Sequence, residues 1–500
     1  MTNRDMESAR AFPTFRALPG RVGRGIAWLW RKTWRYTAAL VALLLLAHLA
    51  LNAVAGRQLG KELARLRAQG APLTLAQAAP PPVPDSENAA GLYEKAFAGL
   101  RLTARKDVEA VRHFLGSAEG ARAKPPRPTL AEMEAILARH EADFRLLEQG
   151  SKRPVARFPV DWEHPAQALF PHLARVRNAT RFLCAKAVVD TRHGRAGDAL
   201  QDLAISIRMS NHISAEPTII AQYFRVACIS IVAAALPQVM AAPPPTAAES
   251  RAFYDLLSKV DIMGPWVRSM EGERTFGLSV FDELRHARSG EFAYGLLGGW
   301  LQPDTTTGGF ERLWKWAQRL ALRQAWPVTR LAWQPFLKLD EVQYLRHMQI
   351  VVALAGEPYR QSVEGQQRLE KQMAQRPWYA VVTRTLAPIY IRATQARDEA
   401  RAMVGLMRAA LALRDYQIEH RSYPASLADL RAAGGWAIPH DPFSGKPFIY
   451  RREGAGYLVY SVGADLKDDG GISQRTATER APRPISSRPL AYDLPLRMTR

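Results

Sequence analysis

Residues 183–210, LCAKAVVDTRHGRAGDALQDLAISIRMS, predict two helices joined by a short turn at Gly194. Apolar residues recur on both sides of the turn at intervals of about three and four residues, as on one face of an amphipathic helix. The same spacing returns from about residue 87 to residue 260, whereas the alternation typical of strands is almost absent before residue 440. The sequence therefore predicts a mainly α fold whose body is built from irregular helical hairpins.

The positions of the small residues in this hairpin point to a more specific motif. Ala187 lies in the first helix, Gly194 in the turn and Ala199 at the start of the second helix, followed by Leu203 and Ser206. Over about residues 183–210 the pattern resembles one tetratricopeptide-type hairpin, in which small residues let antiparallel helices approach closely. The sequence has no convincing second copy at the repeat period, so an isolated αα-hairpin in an irregular helical domain is the alternative.

The charge balance indicates either a nucleic-acid binder or a protein with a basic membrane flank. Lys and Arg outnumber Asp and Glu by 68 to 47, a net charge of +21. Residues 37–55, TAALVALLLLAHLALNAVA, form a charge-free run about as long as a helix that spans a bilayer. Residues 1–36 carry eight basic and two acidic side chains, a net +6 that is retained in the cytoplasm by the positive-inside rule. We therefore expect a single-pass protein of a bacterial inner membrane, with its bulk in the periplasm and no nucleic-acid partner.

Two features of this run allow a second interpretation. Ala53, Val54 and Ala55 fit the small-residue pattern of a signal-peptide cleavage site, so cleavage after Ala55 is the alternative to a retained anchor. His48 and Asn52 are polar residues one helical turn apart inside the run. They are either a helix-association contact or polar residues tolerated near the end of a single span.

Changes in composition divide the chain into six regions. A Pro-rich stretch at residues 80–84 predicts a stiff spacer, and the helical periodicity begins directly after it. The predicted regions are a basic cytoplasmic tail (1–36), a transmembrane helix (37–55), a Pro-rich spacer (56–86), a periplasmic α-helical domain (87–395), a small C-terminal module (396–472) and an Arg/Pro-containing tail (473–500).

The C-terminal module contains the most recognisable motifs. A helix is followed by a segment with Tyr and Pro, then by a DPFSG loop, and then by two β-prone runs, FIYRR and YLVYS. Over about residues 400–471 it resembles the globular domain of the major pseudopilins of type II secretion. The matching residues are Tyr416, Glu419, Tyr423, Pro424, Leu427, Leu430, Asp441, Pro442, Phe443, Gly445, Pro447, Tyr450, Tyr457, Tyr460, Ser461, Gly463 and Asp465.

The resemblance implies a small α+β module with a β-hairpin, and it implies a calcium site in the acidic loop that follows. Closely spaced carboxylates beside glycines suit a hard cation that takes oxygen ligands. The candidate ligands are Asp465, Asp468, Asp469 and Asp493. The later Asp-x-Asp of the family is missing here, so a solvated acidic turn is the alternative. The sequence also lacks the family's N-terminal processing motif, which argues against assembly as a pseudopilus subunit.

No catalytic motif is found in the sequence. Glu271 and Glu273, and Asp340 and Glu341, are the pairs of acidic residues that would form an active site if they converged in a cleft. The alternative for Glu273, and likewise for Asp340 and Glu341, is a buried ion pair with an arginine between helices. Cys184 and Cys228 either form a disulfide in an oxidising periplasm or remain two buried thiols.

The sequence therefore favours a non-catalytic role. We expect an anchored periplasmic scaffold or adaptor that binds envelope proteins, with a link to a type II secretion or pilus-like system implied by the resemblance. The alternatives are an anchored periplasmic hydrolase with its site in the helical domain, and a ligand-binding sensor without enzymatic activity.

Overall fold

The computed structural model describes residues 20–101, 105–116, 127–163, 168–241, 243–286, 326–387, 393–472 and 494–498. The mainly α prediction is confirmed for this part of the chain. The helices are α1 (Gly20–Ala68), α2 (Leu75–Ala78), α3 (Ala90–Arg101), α4 (Arg105–Phe114), α5 (Leu130–Ala138), α6 (Glu141–Ser151), α7 (Pro171–Arg192), α8 (Ala196–His212), α9 (Ile219–Val239), α10 (Ala247–Ser258), α11 (Met263–His286), α12 (Trp326–Ala355), α13 (Tyr359–Ala374), α14 (Val381–Leu386), α15 (Ala393–His420) and α16 (Asp429–Gly434).

The predicted hairpin is formed by α7 and α8. Gly194 has φ of +78°, a left-handed conformation that suits glycine, and the turn closes with the Arg195 amide donating to the Asp190 carbonyl at 2.8 Å. Ala187 and Ala199 are fully buried, which lets the two helices approach closely. The hairpin packs against α9 in the body. Its likeness to a tetratricopeptide repeat stays a prediction.

Cys184 in α7 and Cys228 in α9 are free, buried thiols. Burial raises the pKa of the Cys228 thiol to about 11 and raises that of Cys184 well above its usual value. The disulfide alternative is therefore wrong, and both side chains act as small apolar residues of the core.

The helix that contains the apolar run is longer than the sequence indicates. α1 continues through the end of the apolar run to Ala68. Leu46 is 64% exposed, whereas Ala55 and Leu66 are almost completely buried against the body. The prediction of a spacer over residues 56–86 is therefore wrong for its first 13 residues, which belong to α1. Leu59 and Leu66, seven residues apart on this helix, pack into the core.

Among the residues that the structure describes, two helices are long and apolar enough to cross a membrane. One is α1 from Thr33 to Ala68, which is hardly buried over its apolar window. The other is α9, of which half the window is buried inside the body. α9 contacts α7, α8, α11 and α15, which is the environment of a central core helix. The first helix thus matches the predicted position of the anchor.

The C-terminal module is an α+β unit. α15 ends at His420, and Arg421 has a left-handed φ of 60° where the chain turns. An antiparallel sheet follows, with strand order β1 (Ile449–Glu453), β2 (Gly456–Ser461) and β3 (Leu494–Met498). β2 is buried along its whole length between the two edge strands and under α15.

The third strand is a difference from the predicted hairpin. Residues 494–498 lie in the predicted C-terminal tail, but they pair with β2, so that Tyr460 lies opposite Ile449 on one side and Pro495 on the other. Leu496 is buried against the core of the module. Pro495 is tolerated because β3 is an edge strand. The tail therefore contributes to the module, which does not end at residue 472.

Candidate functional site

Two carboxylates of the acidic loop after β2 accept hydrogen bonds from nearby residues. Asp468 Oδ1 accepts hydrogen bonds from the Tyr460 hydroxyl at 2.8 Å and from the Gly470 amide at 2.9 Å. These two bonds hold the pKa of Asp468 below its usual value. Asp465 Oδ1 accepts from the Lys467 amide at 3.2 Å. The loop is thus stabilised by its own carboxylates.

The calcium site stays a prediction. Within the described residues, no three His, Cys, Asp or Glu side chains are grouped so that they could hold a metal ion. Asp493, the fourth candidate ligand, lies outside the described residues. Calorimetric titration of the full chain with calcium tests the prediction: heat of binding that is lost in Asp465→Ala supports it, and no heat with the wild type contradicts it.

Asp441 has a larger structural role than the acidic loop. It is almost fully buried, and it accepts hydrogen bonds from the Phe443 amide, the Ser444 hydroxyl, the Ser461 hydroxyl at 2.7 Å and the Val462 amide. One carboxylate therefore joins the DPFSG loop to the end of β2. Because several donors meet a buried charge, this residue organises the module.

Glu271, Glu273, Asp340 and Glu341, the candidate catalytic residues, interact with different parts of the structure. Glu273 accepts a hydrogen bond from the Ile219 amide at 2.9 Å and caps the start of α9. Glu271, two residues earlier in the same helix, is half-buried and acts electrostatically on Arg274. An ion pair between helices is made by Glu341, which is buried and bonded to Arg285 of α11.

Asp340 is almost fully buried. It accepts from the Val382 amide at 2.8 Å and from the Thr383 amide at 3.2 Å and hydroxyl at 2.5 Å, at the start of α14. Burial raises its pKa to about 6, although these hydrogen bonds act in the opposite direction. Glu273 and Asp340 thus bond to the starts of helices, and Glu341 pairs two helices, so these three carboxylates have separate structural partners.

A buried carboxylate pair in the α7–α8 hairpin was not found from the sequence. Lys186 donates to Asp190 at 2.6 Å and to Asp202 at 2.9 Å, and Arg195 also bonds to Asp190. Burial raises the pKa of Asp202 to about 7, with Lys186 acting against it. The acidic residues lie 12 positions apart across the turn, so only the hairpin geometry brings them together.

A second buried polar group joins α3 to the end of α8. His212 Nε2 lies 3.0 Å from the Arg153 carbonyl and must donate to it, so Nδ1 of the neutral ring accepts from the Tyr93 hydroxyl at 2.9 Å. Burial lowers the pKa of His212 to about 4. The unfolded chain therefore takes up this proton first as the pH falls, and stability is lost from about pH 6.5 down to about pH 4.

We expect His212→Gln to flatten this pH dependence. Between pH 7 and pH 4 the wild type should lose about 3 kcal/mol of stability through His212, whereas the glutamine variant should not. The measurement is the melting temperature of the detergent-solubilised full chain at steps of pH, for both proteins. Parallel curves for the two proteins would show that His212 does not titrate in this way.

The body holds α1 through polar contacts along α12. The Asn52 side chain accepts from Lys338 Nζ at 2.8 Å, and Glu62 accepts from Arg346 Nε at 2.8 Å. Further along, Arg65 donates to Gln349. Residues further along α1 contact residues further along α12, so the two helices run parallel. Asn52 is therefore a helix-association contact, the first of the two alternatives for this residue.

A pocket between α11, α12, α13 and α15 is lined by Trp266, Met270, Gln366 and Thr394, among others. It has room for little more than one water molecule. A small-molecule substrate needs a pocket of several hundred cubic ångströms. This pocket is therefore too small for a substrate. The contact surface between α1 and the body is the better candidate for a functional feature.

Comparison of the chain with protein-family models, curated proteins and solved structures gave no match.

Proposed function

We propose that this protein is a single-pass scaffold of the bacterial envelope, with residues 37–55 in the inner membrane, residues 1–36 in the cytoplasm and the helical body in the periplasm. The observation that carries the proposal is the continuity of α1. From Trp34 to Val54 it exposes apolar side chains, and its C-terminal part belongs to the core that contains Leu59 and Leu66. Cleavage after Ala55 would cut this helix where it enters the body, which favours a retained anchor over a signal peptide.

The proposed partners are envelope proteins, including components of a type II secretion or pilus-like system. This link rests on the resemblance of the C-terminal module, and the succession of a long helix, a loop and a β-hairpin supports it. The separate structural contacts of Glu273, Asp340 and Glu341 favour a scaffold over a hydrolase. Nucleic acid is not among the proposed partners.

Retention of the anchor is tested with tags on both ends of the full chain. We expect carbonate-washed membranes to contain one species that carries both tags. Ala53→Leu is the matched control, because it destroys the small-residue pattern at an exposed position of α1. A wild-type chain that loses its N-terminal tag while the variant keeps it would contradict the proposed anchor.

The scaffold role is tested by photo-crosslinking in cells. Ile220 and Tyr223 are exposed apolar residues on one face of α9, at 48% and 38%, and a photoreactive residue at either position should give one defined adduct with an envelope protein. The same residue at exposed Lys467 is the control. The recovered partner should capture this chain in the reverse experiment. Absence of a defined adduct from α9 would contradict this role for that surface.

A further inference from the structure

Three arginines lie together where α7 packs against α4 and α9. Arg177 and Arg181 are four residues apart on α7, so their side chains share one face of that helix. Arg112 belongs to α4, and its positive charge repels that of Arg181, as the charge of Arg177 does. The Cζ atom of Arg177 lies 4.8 Å from the centroid of the Phe224 ring in α9. We call Arg112, Arg177 and Arg181 the arginine cluster.

Among the residues that the structure describes, no carboxylate pairs with the arginine cluster. The Nε atoms of all three side chains are buried and have no hydrogen-bond partner. Burial lowers the pKa of Arg181, and the charges of Arg177 and Arg112 lower it further, while the Cys228 thiol acts in the opposite direction. That thiol is neutral at pH 7, because burial raises its pKa to about 11. The fold therefore brings three positive charges together without a counter-charge.

Several other basic residues on the same helices are paired with carboxylates. Arg175 of α7 bonds to Glu94 of α3 at 2.5 Å, and Lys186 bonds to Asp190 at 2.6 Å. Both carboxylates of α4 are bonded to arginines outside the cluster. Two like charges one turn apart destabilise a helix, and a third charge nearby adds to the repulsion. A cluster that costs stability and has no internal counter-charge indicates a ligand of opposite charge.

We propose that the arginine cluster binds a phosphate monoester, either of a soluble metabolite or of a phospholipid headgroup. Guanidinium groups present pairs of N–H donors that match phosphate oxygens, and a phosphate monoester has three acceptor oxygens and nearly two negative charges. A carboxylate has only two oxygens and one charge. All three side chains are half-buried, so an anion can approach them from solvent and is screened less than on an open surface. The bound phosphate supplies the counter-charge that the fold lacks.

The test is calorimetric titration of the full chain in a maltoside detergent, at constant ionic strength and in a buffer free of phosphate and sulfate. Two matched probes distinguish the sources: glycerol 3-phosphate, and dihexanoyl phosphatidic acid, which is the same phosphate monoester with two short acyl chains. Arg181→Gln and Arg112→Gln each remove one charge of the cluster, from different helices. Arg192→Gln is the matched control, because Arg192 is exposed at the C-terminal end of α7.

We expect the wild type to bind at least one probe, and each cluster variant to bind that probe roughly 10-fold more weakly, because a hydrogen bond to a charged group is lost. Arg192→Gln should bind as the wild type does. Tighter binding of glycerol 3-phosphate identifies a soluble ligand, and tighter binding of the phosphatidic acid identifies a lipid headgroup.

The melting temperature without a probe separates a loss of binding from a loss of folding. Both cluster variants should melt as the wild type does, since neither loses an ion pair. No binding of either probe by the wild type overturns the proposal. Binding that Arg181→Gln and Arg112→Gln retain, or that Arg192→Gln loses equally, also overturns it. None of these outcomes bears on the proposed anchoring by residues 37–55.

Discussion

Replacing Arg397 with methionine should cost about 3–5 kcal/mol of stability. The Arg397 side chain is fully buried and bonds to Asp398, which is equally buried. Its guanidinium also donates to the Ala355 carbonyl at 2.5 Å and to the Glu357 carbonyl at 2.9 Å, at the C-terminal end of α12. Methionine leaves a buried carboxylate short of one cation and leaves carbonyls at the end of a helix without a donor. Both losses act on the junction of α12 with α15.

The measurement is thermal unfolding of the detergent-solubilised full chain. We expect a fall of roughly 5–10 °C in the melting temperature of Arg397→Met. Arg401→Met is the matched control, because Arg401 also pairs with Asp398 from the same helix but its side chain is 36% exposed. The control should cost less than about 1 kcal/mol. Equal losses in the two variants would show that burial of Arg397 is not the cause.

Replacing Asp441 with alanine should open the C-terminal module. The change removes the acceptor of four donors and leaves the buried Ser461 hydroxyl and Val462 amide without this partner. Hydrogen bonds to a charged group contribute about 1.5–3 kcal/mol each, and part of this is recovered by water when the loop opens. We expect a net local loss of about 3 kcal/mol, confined to the loop and the sheet.

Hydrogen exchange of the intact chain measures this effect. Amide exchange in β1 and β2 should become roughly 100-fold faster in Asp441→Ala, while the helices α7 to α9 should exchange as in the wild type. Asp441→Asn keeps one acceptor oxygen and should lie between the two. Asp469→Ala removes the same charge from the nearby acidic loop and should leave the sheet unchanged. Unaltered exchange in β1 and β2 of Asp441→Ala would contradict the role assigned to this carboxylate.

Local patterns in the sequence were sufficient to predict several of the helices. The spacing of apolar residues predicted α7 and α8, and the small residues Ala187 and Ala199 predicted their close contact, because these signals lie within a few residues of each other. The run of apolar residues likewise predicted the position of the exposed apolar helix α1. Its length was underestimated, because Leu59 and Leu66 are separated by polar residues and only their contact with α12 shows that they are buried.

Contacts between segments that are far apart in the sequence could not be predicted from the sequence. β3 was missed because 494–498 contains Pro495 and lies in an Arg/Pro-containing tail, so nothing local indicates a strand. Asp202 and Asp190 are brought together by the hairpin, and Asp340 is buried by α14, which lies about 40 residues further along the chain. The partners of Glu341 and Asn52 are also remote in sequence. A single sequence contains the polar residues of such sites but not their pairing.

The unbroken course of α1 determines how the body responds to the thickness of the bilayer. The helix is 49 residues long, about 74 Å, and it enters the body without a glycine- or proline-based joint between Thr37 and Ala55. A transmembrane helix whose apolar length exceeds the hydrocarbon thickness adapts by tilting. For an anchored chain, the contacts of Asn52, Glu62 and Arg65 with α12 would pass that tilt on to the helical body. Hydrophobic mismatch would therefore set the angle between the helical body and the plane of the membrane.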